Sequence, residues 1–302
     1  MTHENRLAGN FQGAQTHVLA ACWIVRGGLE SGANKIPYSA FTVIEFFGQK
    51  AESAVPALVE MLNWIPPSRS SYLVGDENNF RLVQQALVAI AAIGPAARDA
   101  VPALTNLLVG TNSFGQRDIT VDSCKALGGI GPDASEAVPV LEALLIQTNE
   151  SVHFGRGRGG FFPRLTDETV HFAAARALVE IAPGHASNAV NFLKKVGFRF
   201  VGSPLPEFSA QVALWKGGME KNPPVTNLMV ILSKGTNPYL YLELAAIQLL
   251  AEIGPEARPA LPLLETFLRP GDNFRWDAAI AIQRIDPQEA ARLGLPGLLL
   301  AY

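Results

Sequence analysis

Cysteine is nearly missing from this chain. Cys22 and Cys124 are the two in 302 residues, and they fall in separate helical stretches. That excludes a disulfide framework and a cysteine-based zinc site, and it fits two free, buried thiols in a reducing compartment. Histidine is also sparse. His3, His17, His153, His171 and His185 never pair with a second ligand at helical spacing, apart from the terminal His3-Glu4. No nucleophile elbow, phosphate loop or zinc spacing occurs. Charge is low as well: 17% of residues are charged and the net charge is −3, which gives no basic field of the kind nucleic-acid binders carry. No apolar run approaches the length of a membrane helix, so no membrane partner is expected. Leu19-Ala20-Ala21-Cys22 has the form of a lipoprotein cleavage box, but polar residues from Asn10 to His17 precede it where an apolar signal core belongs. A cytoplasmic protein without catalytic groups, metal or cofactor is expected.

What the chain has in quantity is one repeated phrase. It reads QKAESAVPALVEML from Gln49, GPAARDAVPALTNLL from Gly94, GPDASEAVPVLEALL from Gly131 and GPEARPALPLLETFL from Gly254. Before Gly94-Pro95 runs LVQQALVAIAAI, an apolar stretch with helical spacing. Gly94 can take the left-handed conformation that closes a helix, and Pro95 cannot continue it. A short polar stretch to Asp99 follows, and Ala100-Val101-Pro102 then opens a second helix, with proline tolerated in its first turn. Val101, Leu104, Leu107 and Leu108 are expected on one face of that helix. The unit is helix, tight Gly-Pro turn, helix. Neither helix buries its apolar face alone, so the units must stack.

The Ala-Val-Pro anchor sits at Ala54, Ala100 and Ala137, with variants at Ala189 and Ala260, giving steps of 46, 37, 52 and 71 residues. The last step is about double the period, so a degenerate helix pair is expected over residues 204–235. Val225 there lies 35 residues after Val190 and 36 before Leu261. Further helices are expected over Gln15 to Val25, Tyr38 to Phe47 and Phe274 to Ile285. The expected fold is all-α: one right-handed α-solenoid over residues 1–302, of roughly six to eight stacked helix pairs without a sheet.

Ala86, Leu87, Ile90, Ile93, Gly94-Pro95, Ala100-Val101-Pro102 and Leu104-Leu107-Leu108, with their equivalents, make the chain resemble HEAT repeats. The resemblance covers nearly the whole chain and is closest to the short alanine-rich bacterial kind, related to the HEAT-like repeats of phycobilisome lyases. It implies a scaffold or adaptor for a protein or peptide partner, or a chromophore lyase or ligand chaperone. Di-iron hydroxylases built from HEAT repeats carry recurring His-Glu pairs in their helices, and those pairs are absent here.

Two connections exceed the period, at about 64–79 and 148–167. The second, NESVHFGRGRGGFFPRL, gathers Arg156, Arg158 and Arg164 with Phe161 and Phe162. Arginine with aromatics is the composition of a recognition surface, for a protein or, in an alternative reading, for nucleic acid. The other reading is a flexible loop whose phenylalanines tuck back onto the array. Gly155, Gly157 and Gly160 match a G-x-G-x-x-G spacing but lack the strand and helix a dinucleotide site needs. The first insert carries Trp64, Tyr72, Phe80, Asp76 and Glu77 and reads as an irregular anchored loop. The second helices of HEAT-like arrays line the concave side. Glu60 and Asn63, Thr105 and Asn106, Glu142, Lys194 and Lys195, and Glu265 are the expected non-core residues there, and their mixed signs suit a partner with mixed charges. Asp122, Glu168, Glu180 and Glu243 are expected on solvated helix faces.

Overall fold

In a computed structural model, the structure describes residues 19–28, 36–63, 76–109, 116–146, 170–196, 205–233 and 240–298. The protein is all-α, and no strand occurs among the described residues. The fold divides into two compact units, one of Met1–Ala137 with Pro296–Tyr302, the other of Val138–Leu295.

In the first unit, α1 (Leu19–Gly28) is followed by α2 (Tyr38–Phe47), α3 (Val55–Leu62), α4 (Asp76–Ile93), α5 (Val101–Leu108) and α6 (Gln116–Ile130). Helix α4 packs between α2 and α6, α3 packs on α4 and α5, and α5 packs on α6. The first helices of successive phrases therefore lie against one another, as the amphipathic pattern requires: Leu87, Ile90 and Ile93 of α4 and Leu127 and Ile130 of α6 are fully buried.

The links between paired helices differ from the expected short polar stretch. Gly48–Ala54, Gly94–Ala100 and Gly131–Ala137 are 3-10 helical segments that stack on one another. Gly94 has φ +70°, and its equivalents at 48, 131 and 254 are also positive, so the glycine reverses the chain where another residue would be strained. From that glycine, alanines follow at steps of three, at 97 and 100 and at 134 and 137, all fully buried. Three residues per turn is the 3-10 period, so the alanines form one face of each link, and their small size lets neighbouring links touch. The alanine spacing was visible in the phrase, but polar neighbours such as Arg98 and Asp99 masked it. Those two point outward and are exposed.

Arg81–Leu108 is, by length and composition, apolar enough to cross a membrane, an 18-residue window within it having mean hydropathy 1.4. This corrects the expectation that no run approaches that length. The run spans two helices and the turn at Gly94, and its Leu82, Leu87, Ile90, Ile93, Leu104 and Leu108 are buried in the first unit.

The second unit contains α7 (Val138–Ile146), α8 (Val170–Ile181), α9 (Ser187–Val196), α10 (Leu205–Lys216), α11 (Val225–Ser233), α12 (Leu240–Ile253), α13 (Leu261–Glu265), α14 (Arg275–Ile285) and α15 (Pro287–Arg292). Helices α8, α10, α12 and α14 pack in that order. Helix α9 lies on α8 and α10, α11 on α12, and α13 on α14 and α11. The stretch expected to hold a hidden pair thus carries two helices, α10 and α11. Its buried Val212, Ala213 and Leu228 complete the ladder despite a poor match to the phrase. Helix α14 ends before Asp286, whose side chain accepts from the backbone N–H groups of Gln288 and Glu289 and caps α15 with Pro287 in its first turn.

Candidate functional site

Counting from the anchor alanine of each phrase, which precedes α3, α5, α7 and α13 and is the third residue of α9, puts α3, α5, α7, α9, α11 and α13 in one register, with Pro224 in the alanine position of α11. Four residues on stand Leu58, Leu104, Leu141, Leu193, Leu228 and Leu264, each at most 1% exposed. Six residues on stand Glu60, Asn106, Ala143, Lys195, Val230 and Thr266, every one exposed. Two helical residues are separated by about 200°, so a buried fourth position forces an outward sixth. The second position, proline in four of the six helices, is outward as well.

Of the residues expected to contact a partner, Glu60, Asn106, Glu142 and Lys195 are all exposed on their second helices, as are Asn63 and Lys194. Thr105 is half-buried, its hydroxyl donating to the Val101 carbonyl at 2.8 Å, and Glu265 is half-buried. Leu107 is half-exposed rather than part of the buried face of α5, because the buried stripe runs through Val101, Leu104 and Leu108. Arg156, Arg158, Phe161, Phe162 and Arg164 lie outside the described residues, as do Glu168 and positions 64–75 of the first insert. Asp76 to Asn79, read with that insert, belong to the first turn of α4.

A charged cluster in the second unit was missed. Of the carboxylates expected on solvated faces, Glu243 is buried, and the side chains of Glu180 and Asp122 are only 7% and 13% exposed. Glu180 and Arg176 of α8, Lys216 of α10 and Glu252 of α12 form a closed ring of alternating sign. Arg176 Nη2 stands 3.5 Å from Glu180 Oε1, and Lys216 Nζ stands 3.5 Å from Glu180 Oε2 and 3.3 Å from Glu252 Oε1. Arg176 Nη2 closes the ring with a short hydrogen bond to the same Glu252 oxygen. The Arg176 and Glu180 side chains are 11% and 7% exposed. Burial would raise the carboxyl of Glu252, but Arg176 and Lys216 outweigh it and hold it at about 2. Burial dominates at Glu180 and raises its carboxyl, with Lys216 and Arg176 opposing and Glu252 adding repulsion. Burial alone would favour the neutral amine of Lys216, but Glu252 and Glu180 together raise its pKa. Glu243 is also raised, by burial and then by Asp272.

The signal for the ring lay in the repeat. Glu180 and Glu252 each stand two residues before the helix-ending position, in E-I-A-P and E-I-G-P. Lys216 stands two before Gly218, which has φ +76°. The same position is Ala92 in α4 and Gly129 in α6, where a Cβ on Gly129 would come 2.7 Å from the Ala91 carbonyl oxygen. The column is thus closed by backbone contact at Gly129 in the first unit and by charge in the second.

Neither cysteine is bonded to another. Cys124 is buried as expected, but Cys22 is only half-buried; its Sγ lies 3.7 Å from the Ser53 hydroxyl, and burial raises its thiol. Among the described residues no three His, Cys, Asp or Glu side chains gather as a metal site. No protein-family model matches the chain, and no curated protein matches it either.

Proposed function

We propose that the protein is a non-catalytic scaffold or adaptor, a right-handed HEAT-like α-solenoid that binds a protein or peptide partner through the exposed faces of its second helices. The observation that carries this reading is the contrast between two columns of the repeat. The fourth position is leucine in all six second helices, while the sixth is a different residue in each and always exposed. A frame held constant under a varied outward position is how a repeat presents a composite surface, since each unit adds its own side chain to it. Glu60 and Asn106 hold the sixth position in the first unit, and Ala143, Lys195, Val230 and Thr266 in the second, where Glu142 is exposed beside Ala143. Acidic, basic, amide and apolar groups alternate, which fits a partner of mixed character better than a polyanion. The arginine- and phenylalanine-bearing insert at 148–167 adds anchors of the kind that dominate interface energies.

The test is a set of outward substitutions, Glu60→Lys, Asn106→Arg and Lys195→Glu, made together. The variant keeps the melting temperature of the parent chain. It loses the partner that the parent chain recovers from its native host. Undiminished recovery would rule out the second-helix faces as the contact.

A further inference from the structure

In a stack of helix pairs each unit touches its neighbours, and stability is close to a sum of nearest-neighbour terms. The second unit departs from that pattern at one place. Arg176 on α8 hydrogen-bonds Glu252 on α12, 76 residues along the chain, although α10 packs against both helices. Lys216 of α10 stands within the same ring, bonded to a carboxylate from each side. Three successive first helices therefore share one set of charges.

We infer that this ring is a clamp that makes α8, α10 and α12 open as a single cooperative element. Withdrawing α10 or α12 strands an uncompensated charge among the helices that remain, while α8, which carries both Arg176 and Glu180, is tied in by the bond from Arg176 to α12 and from Glu180 to α10. With α10 withdrawn, Arg176 faces two carboxylates. With α12 withdrawn, one carboxylate is left with two cations. The penalty for an uncompensated buried charge exceeds what the intact ring contributes, so separate opening of one helix is disfavoured more than joint opening. The first unit has uncharged residues in the same column, Phe46, Ala92 and Gly129, and so lacks this device there. The clamp bears on the proposed binding role, because α9 rests on α8 and α10, and α11 on α12. Holding those first helices together fixes the spacing of the exposed faces of α9 and α11, which preorganises that part of the surface before any partner arrives.

Native-state hydrogen exchange on the full chain at neutral pH tests this through the buried amides of Leu178, Ala213 and Leu250, with Leu87 of α4 as reference. In the parent chain the three amides exchange with one opening equilibrium and one dependence on denaturant. In the double variant Arg176→Met/Glu252→Leu, which replaces the long-range bond by apolar contact, Leu178 and Leu250 separate by about tenfold or more in protection while Leu87 is unchanged. The single variant Glu252→Gln lowers protection at all three positions together. Different opening equilibria for the three amides in the parent chain would overturn the inference. So would a double variant in which they stay merged, or a loss in Glu252→Gln confined to α12. If Glu252→Gln does not fold, the double variant alone decides.

Discussion

Arg176 and Glu252 meet across two repeat steps, an arginine of α8 donating to a carboxylate of α12. Their contact gives the second unit a definite response to acid. Glu252 is held near 2, below its ordinary value of 4.5. A carboxyl depressed on folding contributes stability that is present above about 4.5 and is lost as pH falls towards 2. Glu180 acts in the opposite sense, because its carboxyl is raised. Its protonation favours the folded state, a gain complete below about 4.5 and lost as pH rises through its raised folded value. Thermal unfolding across pH should therefore show a fall below about 4.5 from Glu252 and a separate loss, at higher pH, from Glu180. Glu180→Gln should remove the loss at higher pH, and Glu252→Gln should remove the acid fall. Unaltered profiles in both variants would show that other carboxyls set the response.

Gly129 and Gly94 test two different demands of the turn. A methyl group at Gly129 meets the Ala91 carbonyl oxygen at 2.7 Å, a backbone atom that cannot swing aside. Gly129→Ala should force α6 away from α4 and cost about 1–3 kcal/mol, the range for overpacking. Gly94→Ala meets no such clash but must hold φ +70°, which costs about 1–2 kcal/mol. Urea unfolding of both variants measures the two costs. A neutral Gly129→Ala would mean that α6 has room to move.

Leu104 is fully buried and occupies the fourth position of the register. Truncation to alanine should cost about 2–5 kcal/mol. Loss of exchange protection should centre on α5 itself and on α6 and α3, the helices that pack on it. Equal loss throughout both units would contradict a nearest-neighbour organisation.

The insert at 148–167 is tested by changing Arg156, Arg158, Phe161 and Phe162 together to alanine. The melting temperature should stay nearly constant while the partner is lost, because loop side chains add little to a stacked interior. A large fall in melting temperature would mean that the phenylalanines pack on the helices.

The helices and their register were legible because Gly94-Pro95 and Ala100-Val101-Pro102 mark each repeat chemically, and because Leu58, Leu104 and Leu141 follow at a fixed distance. The hidden pair α10 and α11 was legible from spacing alone. The links were misread: Ala97 and Ala100 follow a period of three, while attention to polarity favoured Arg98 and Asp99. The ring was misread for a deeper reason. An isolated carboxylate in a helix is normally solvated. Whether Glu180 is buried depends on a lysine 36 residues on and a glutamate 72 residues on, and these are brought close only by stacking. Outward positions such as Asn106 and Lys195 followed from helical geometry once the leucine column was placed.

The central claim is that the second-helix faces hold a partner. A photo-crosslinking amino acid placed at position 106, and separately at position 195, tests it in native host cells. Position 88 of α4 serves as comparison, since Val88 is exposed but lies on a first helix. The account predicts a host protein crosslinked from 106 and from 195, and none from 88. Crosslinks from 88 alone, or none from 106 and 195, would contradict it.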